Sequence, residues 1–157
     1  MKIPVLYVDT SVIGGYFDDE FKEATQKLWR QMETGKYRFV TSPLVAQEIA
    51  GAPTEVRSLL ASTFTRKDLL PLTLEAEALA AAYMTQKVVP AKYADDATHV
   101  AIAVVNGIQV IVSWNFKHLV NLQREAEFNG VNLLQGYPSV RIISPLELIY
   151  DDSEEKV

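Results

Sequence analysis

Apolar residues along this chain of 157 residues fall into short unbroken runs separated by longer stretches with helical spacing. Ile3 to Val8, IPVLYV, is almost continuously apolar, as suits a strand covered on both faces, and it ends at Asp9. Tyr37 to Thr41 (YRFVT), Gln109 to Ser113 (QVIVS) and Val140 to Ile143 read as further strands, and Leu69 to Leu72 as another. Thr10 to Phe17, broken by Gly14 and Gly15, reads as a loop or short helix. A helix over Glu20 to Thr34 brings Ala24, Leu28, Gln31 and Met32 near one side, and Gly35 stops it. Ser42-Pro43 supplies an N-cap and a proline at the first helical position, opening a helix through Ile49 that Gly51 and Pro53 end.

Further helices are predicted over Thr54 to about Thr63 and over the alanine-rich Thr73 to Lys87, with Pro90 beyond its end. Asp95 to Val105, DDATHVAIAVV, is apolar nearly all round after its first turn, which predicts a buried central helix closed by Gly107. WNFKHLVN follows QVIVS as a turn and short helix, and Ser144-Pro145-Leu146-Glu147 reads as a capping box opening a last helix. Strands separated by helices predict an α/β sandwich with a mainly parallel sheet, whose sites form at the strands' carboxyl ends.

Length and a hydrophobic fraction of 48% support one core, so residues 1–150 are expected to form a single domain, followed by a flexible acidic tail over 151–157, DDSEEKV. The absence of cysteine excludes disulfides, thiolate zinc sites and thiol catalysis and suits a cytoplasmic location. No signal-peptide core or 18-residue apolar span occurs, so no membrane partner is expected. A net charge of −5 argues against a broad basic surface for nucleic acid. It leaves room for a nuclease whose carboxylates require cations before they meet phosphate.

The chemistry-bearing positions are acidic. Asp9 projects from a strand's carboxyl end, although an Asp there also caps helices. Glu48 shares a helical stripe with Leu44 and Val45, where a carboxylate is costly unless something positive meets it; a partly exposed Glu at the stripe's edge is the plain alternative. Asp95 and Asp96 open the most apolar helix, where first-turn acids are also stabilised by the helix dipole. Acids converging from three segments would suit a hard divalent cation with oxygen ligands.

With YVDTSVIGGYFD, SPLVAQEI, DDATHVAIAVVNGIQVIVSWNFKHLVN and ISPLELI in this order, the sequence resembles the PIN-domain family, in particular VapC-like toxin ribonucleases of type II toxin–antitoxin pairs. The resemblance implies a three-layer α/β/α sandwich around a parallel sheet, Mg2+- or Mn2+-dependent cleavage of RNA, a cognate antitoxin and a homodimer. It places the metal-binding acids at Asp9, Glu48 and Asp96, with Asp95 the second choice to Asp96, and puts Ser11 at the accompanying small polar position. At the fourth catalytic position, where many members carry Asp, this chain has Asn115, which can ligate or position water but adds no negative charge.

His99, one turn beyond Asp96, reads as a packing residue or as a group orienting a carboxylate. His118 reads as a packing residue, and Trp114 and Phe116 pack the post-strand turn or stack on unpaired bases. A catalytically weak or inactive PIN-like binding module is the main alternative. An aspartyl phosphatase would need a second Asp where Ser11 stands, and Gly14-Gly15 is no dinucleotide loop.

Overall fold

The structure is a computed structural model that describes residues 2–150, so the acidic tail expected over 151–157 lies outside the described residues. Four parallel strands form the sheet: β1 (Val5–Val8), β2 (Arg38–Val40), β3 (Val110–Val112) and β4 (Arg141–Ile143), in the order β2-β1-β3-β4. The helices are α1 (Thr10–Gly15), α2 (Lys22–Glu33), α3 (Pro43–Glu48), α4 (Thr54–Thr63), α5 (Leu74–Thr85), α6 (Ala94–Val105) and α7 (Leu122–Leu134).

Alternation along the strands divides the core in two. Tyr7, Val40, Ile111 and Ile142 face a cluster with α5, α6 and α7, whereas Leu6, Val8, Phe39, Val112 and Ile143 face α1, α2, α3 and α4. The result is the expected α/β/α sandwich, and its apolar strands are covered on both faces. β1 and β3 are adjacent, and the chain leaves them toward opposite edges of the sheet. Their carboxyl ends therefore flank the crevice where such sheets place ligands.

Gly35 and Gly107 take positive φ (87° and 77°) just past α2 and α6, a conformation that a Cβ disfavours, which is why both helices stop there. The predicted strand at Leu69 to Leu72 is corrected to a single bridge between Thr41 and Leu69. The predicted last helix is only a 3-10 turn, Pro145–Glu147: Ser144 accepts from the Leu146 N–H, and no reciprocal bond from Glu147 occurs among the described residues. A reciprocal capping box forms instead between Thr65 and Asp68.

The short helix expected in WNFKHLVN is a turn, and the helix that follows it, α7, was not predicted. Asn129, Gly130 and Asn132 are poor helix formers, and Leu122, Leu133 and Leu134 are exposed, so local propensity and apolar spacing both obscure it. It forms because Phe128 and Val131 bury one side and Asn121 accepts from the Arg124 N–H at its start.

Candidate active site

β1 carries Asp9 to the crevice and α1 begins immediately after it, so the same side chain caps a helix and faces the site. Asp9 Oδ1 accepts from Ser11 Oγ (2.6 Å) and from the Val12 N–H (3.3 Å), and Oδ2 accepts from Ser113 Oγ (2.6 Å). The turn after β3 orients both hydroxyls. Trp114 N–H donates to Ser11 Oγ (2.8 Å) and Asn115 N–H donates to Ser113 Oγ (2.9 Å), leaving each hydroxyl proton free to point at Asp9. Burial raises the pKa of Asp9, against the lowering influence of the His99 charge and of these donors.

Glu48 stands at the end of α3 with its side chain 27% exposed, at the edge of the apolar stripe rather than beneath it. Its Oε1 accepts from Thr10 Oγ1 (2.8 Å) and from His99 Nε2 (2.5 Å). Burial opposes its charge, but the His99 bond and charge and the Thr10 hydroxyl outweigh this and hold the carboxyl below its ordinary pKa. Buried His99 is pushed toward neutrality by desolvation, yet the bond to Glu48 and the charges of Asp9, Glu48 and Asp96 prevail and raise its pKa. The partner that an acid on this stripe requires is therefore an imidazole from α6.

His99 Nδ1 lies 2.7 Å from Tyr7 Oη, which lies 2.8 Å from Ser42 Oγ. Ser42, at the N-cap of α3, does not cap it with its side chain. Asp95 and Asp96 both fall in the first turn of α6, but Asp95 is exposed, whereas Asp96 is partly buried and its Oδ2 accepts from Asn115 Nδ2 (3.1 Å). Burial first, and then the neighbouring Asp9 charge, push Asp96 up to about 6, against the lowering effects of His99 and Asn115. Asn115 presents its amide nitrogen to the acid, while its Oδ1 accepts from the His118 N–H at 2.9 Å. In this arrangement its oxygen closes the turn and does not face the acids as a ligand.

Trp114 is buried, stacked on Phe21 (4.3 Å between centroids), and donates to Thr25 Oγ1 (2.9 Å); Phe116 is exposed. His118 packs against Tyr93 at 4.1 Å, and neither ring nitrogen has a partner among the described residues. Among the described residues no three Asp, Glu, His or Cys side chains converge into a ready-made metal cage. The donor set still fits a hard divalent ion, which commonly takes one or two carboxylates and keeps its waters. Asp96 is raised partly by Asp9's negative charge, and Asp96 Oδ1 and Glu48 Oε2 have no hydrogen-bond partner among the described residues.

The PIN-domain model matches residues 6–116, a span that holds Asp9, Ser11, Glu48, Asp96, His99 and Asn115. The chain belongs to the PIN domain family. A sequence comparison with curated proteins finds no match. Among solved structures, a chain in the crystal structure of VapBC2 from Rickettsia felis bound to a DNA fragment from their promoter is similar at a TM-score of 0.52 and 10% identity, over 89% of this chain and 98% of that one. At that identity the likeness shows the fold alone. No helix among the described residues of this PIN domain is long and apolar enough to cross a membrane.

Sequence reasoning missed Tyr7, Thr10, Ser42 and Ser113 as parts of this PIN-domain site. Tyr7 carried a signal, as a hydroxyl in an otherwise aliphatic strand two residues before Asp9. Ser113 carried another: a serine ending β3 lies level with the acid ending β1, since Val8 pairs with Val112.

Proposed function

We propose that this PIN domain is a Mg2+- or Mn2+-dependent endoribonuclease and the toxin of a toxin–antitoxin pair. The observation that carries the reading is the chain of contacts that brings Asp9 and Asp96, distant in sequence, to one site: Ser113 Oγ donates to Asp9 Oδ2 (2.6 Å) and accepts from the Asn115 N–H (2.9 Å), and Asn115 Nδ2 donates to Asp96 Oδ2 (3.1 Å). Asp9 and Asp96, with Glu48, would hold the ion. When bound, it would polarise a phosphoryl oxygen and lower the pKa of an attacking water.

The chain's own groups have separate tasks in this reading. Ser11 and Ser113 hold Asp9 in one orientation, and Asn115 holds Asp96 through its amide nitrogen. In this reading Lys92, four residues before Asp96, and Lys117, two residues beyond Asn115, supply positive charge close to the acids in sequence, despite the net charge of −5. These cations are suited to RNA phosphates flanking the cleaved one.

An antitoxin partner is consistent with the fold likeness to a VapBC2 chain, and a homodimer enters from the family resemblance. A basic side chain of the partner placed among the carboxylates would compete with metal. Purified protein is expected to cut single-stranded RNA in Mg2+ or Mn2+, to stop when EDTA is added, and to be inhibited by the small protein encoded beside it. RNA cleavage that persists in EDTA would exclude the metal-dependent reading.

A further inference from the structure

The acids arrive on β1, α3 and α6, and each of these segments also supplies one member of a single hydrogen-bonded circuit. Tyr7 stands two residues before Asp9 and His99 one helical turn beyond Asp96, while Ser42 begins the α3 segment that Glu48 ends. The contacts run Ser42 Oγ to Tyr7 Oη at 2.8 Å, Tyr7 Oη to His99 Nδ1 at 2.7 Å and His99 Nε2 to Glu48 Oε1 at 2.5 Å. The backbone of α3 closes the ring by returning from Glu48 to Ser42.

We propose that Tyr7 and His99 are positioning residues that hold α3 in register with β1 and α6 and so lock Glu48 through this ring. Both rings are buried; Tyr7 Oη meets both Ser42 and His99, and His99 is bonded through both ring nitrogens, so the phenol oxygen cannot move and the imidazole cannot turn without breaking a contact. A carboxylate that is 27% exposed on a six-residue helix would otherwise sample many rotamers. His99 and Thr10 both engage Oε1, leaving Oε2 directed by the ring rather than by solvent. Ser42 gives up a side-chain helix cap, ordinarily its favoured use at that position, to end the path. The inference deepens the proposed nuclease reading and rests on it for the role of metal, whereas the register itself belongs to the metal-free protein.

A double-mutant cycle with Tyr7→Phe and Glu48→Ala tests it, read by Mn2+ titration calorimetry and by urea unfolding of the metal-free protein. Tyr7→Phe keeps the ring's volume and removes one hydroxyl. It is expected to stay folded and weaken Mn2+ binding about tenfold, the loss usual for a group that orients a ligand. The double variant should bind Mn2+ no more weakly than Glu48→Ala alone, and the shifts in urea midpoint should be less than additive. Multiplying effects on affinity, or Tyr7→Phe affinity equal to wild type, would overturn the proposal. If wild-type protein binds no Mn2+, the metal reading fails, and the urea cycle alone decides the register: coupling supports it and additivity overturns it. Should Tyr7→Phe not fold, Ser42→Ala takes its place in the same cycle.

Discussion

His99 Nε2 lies 2.5 Å from Glu48 Oε1, so the imidazole of the acidic site is bound to the carboxylate on α3 and not to Asp96, one turn away on its own helix. Asp96 is left with one neutral donor, Asn115, and with Asp9's charge nearby. This asymmetry separates the acids into one that is paired and one that is ready to exchange its proton.

Asp96→Asn is therefore expected to stabilise the metal-free protein while removing metal binding. The folded pKa of Asp96, about 6, lies above its ordinary 3.8, so the folded state holds a proton that the unfolded chain releases. Its contribution is most favourable below the lower value and is lost as pH rises through the higher one. At neutral pH the ionised, partly buried carboxylate is a cost. Solvent screens this part-exposed carboxylate and cuts the full effect of the shift, so removing it should raise stability by roughly 1–2 kcal/mol and the melting temperature by about 2–8 °C. Mn2+ should raise the melting temperature of the wild type and not of the variant, as differential scanning calorimetry would show.

Asn115→Ala removes a donor that lowers Asp96's pKa, so the pH at which Mn2+ binding is half-lost should move upward from about 6. Cleavage should fall about tenfold, less than for Asp9→Asn. Asn115→Asp places a second carboxylate beside Asp96 and should move that pH further upward, while strengthening Mn2+ binding at high pH, where both acids are ionised. Mn2+ titrations between about pH 5 and about pH 8 decide both points. An unmoved midpoint in Asn115→Ala would show that its amide does not act on Asp96.

Gly15→Ala should damage the support beneath Asp9. An added Cβ would lie 2.7 Å from Trp114 Cδ1, 2.8 Å from its Nε1 and 3.1 Å from Thr25 Oγ1, so the indole must shift and its bond to Thr25 is lost. Overpacking of this kind costs about 1–3 kcal/mol. Because Trp114 N–H orients Ser11, Mn2+ affinity should fall together with the melting temperature. A stable variant with wild-type affinity would detach Trp114 from the site.

The four strands and the buried α6 were legible because their apolar runs and spacing are local properties of the chain. Leu69 to Leu72 has strand-like composition, yet whether it pairs depends on tertiary placement, and only Leu69 meets Thr41. The packing that forms α7 is likewise non-local: Phe128 enters the cluster shared with α5 and α6. The same division runs through the site. Asp9, Glu48 and the Asp95–Asp96 pair stood out by their positions on elements, and the family resemblance singled out Asp96, whereas the Ser42–Tyr7–His99–Glu48 path joins residues whose proximity no spacing encodes.

In the proposed function, Asp9 and Asp96 together hold the ion with which this PIN domain would cleave RNA. The most direct measurement is the initial rate of cleavage of a single-stranded RNA at saturating Mn2+ by wild type, Asp9→Asn and Asp96→Asn, each shown to be folded by circular dichroism. The wild type is expected to cleave the RNA and each variant to lose about a hundredfold or more of that rate. A folded variant that cuts RNA at the wild-type rate, or a wild type that cuts no RNA with its metal site filled, would contradict it.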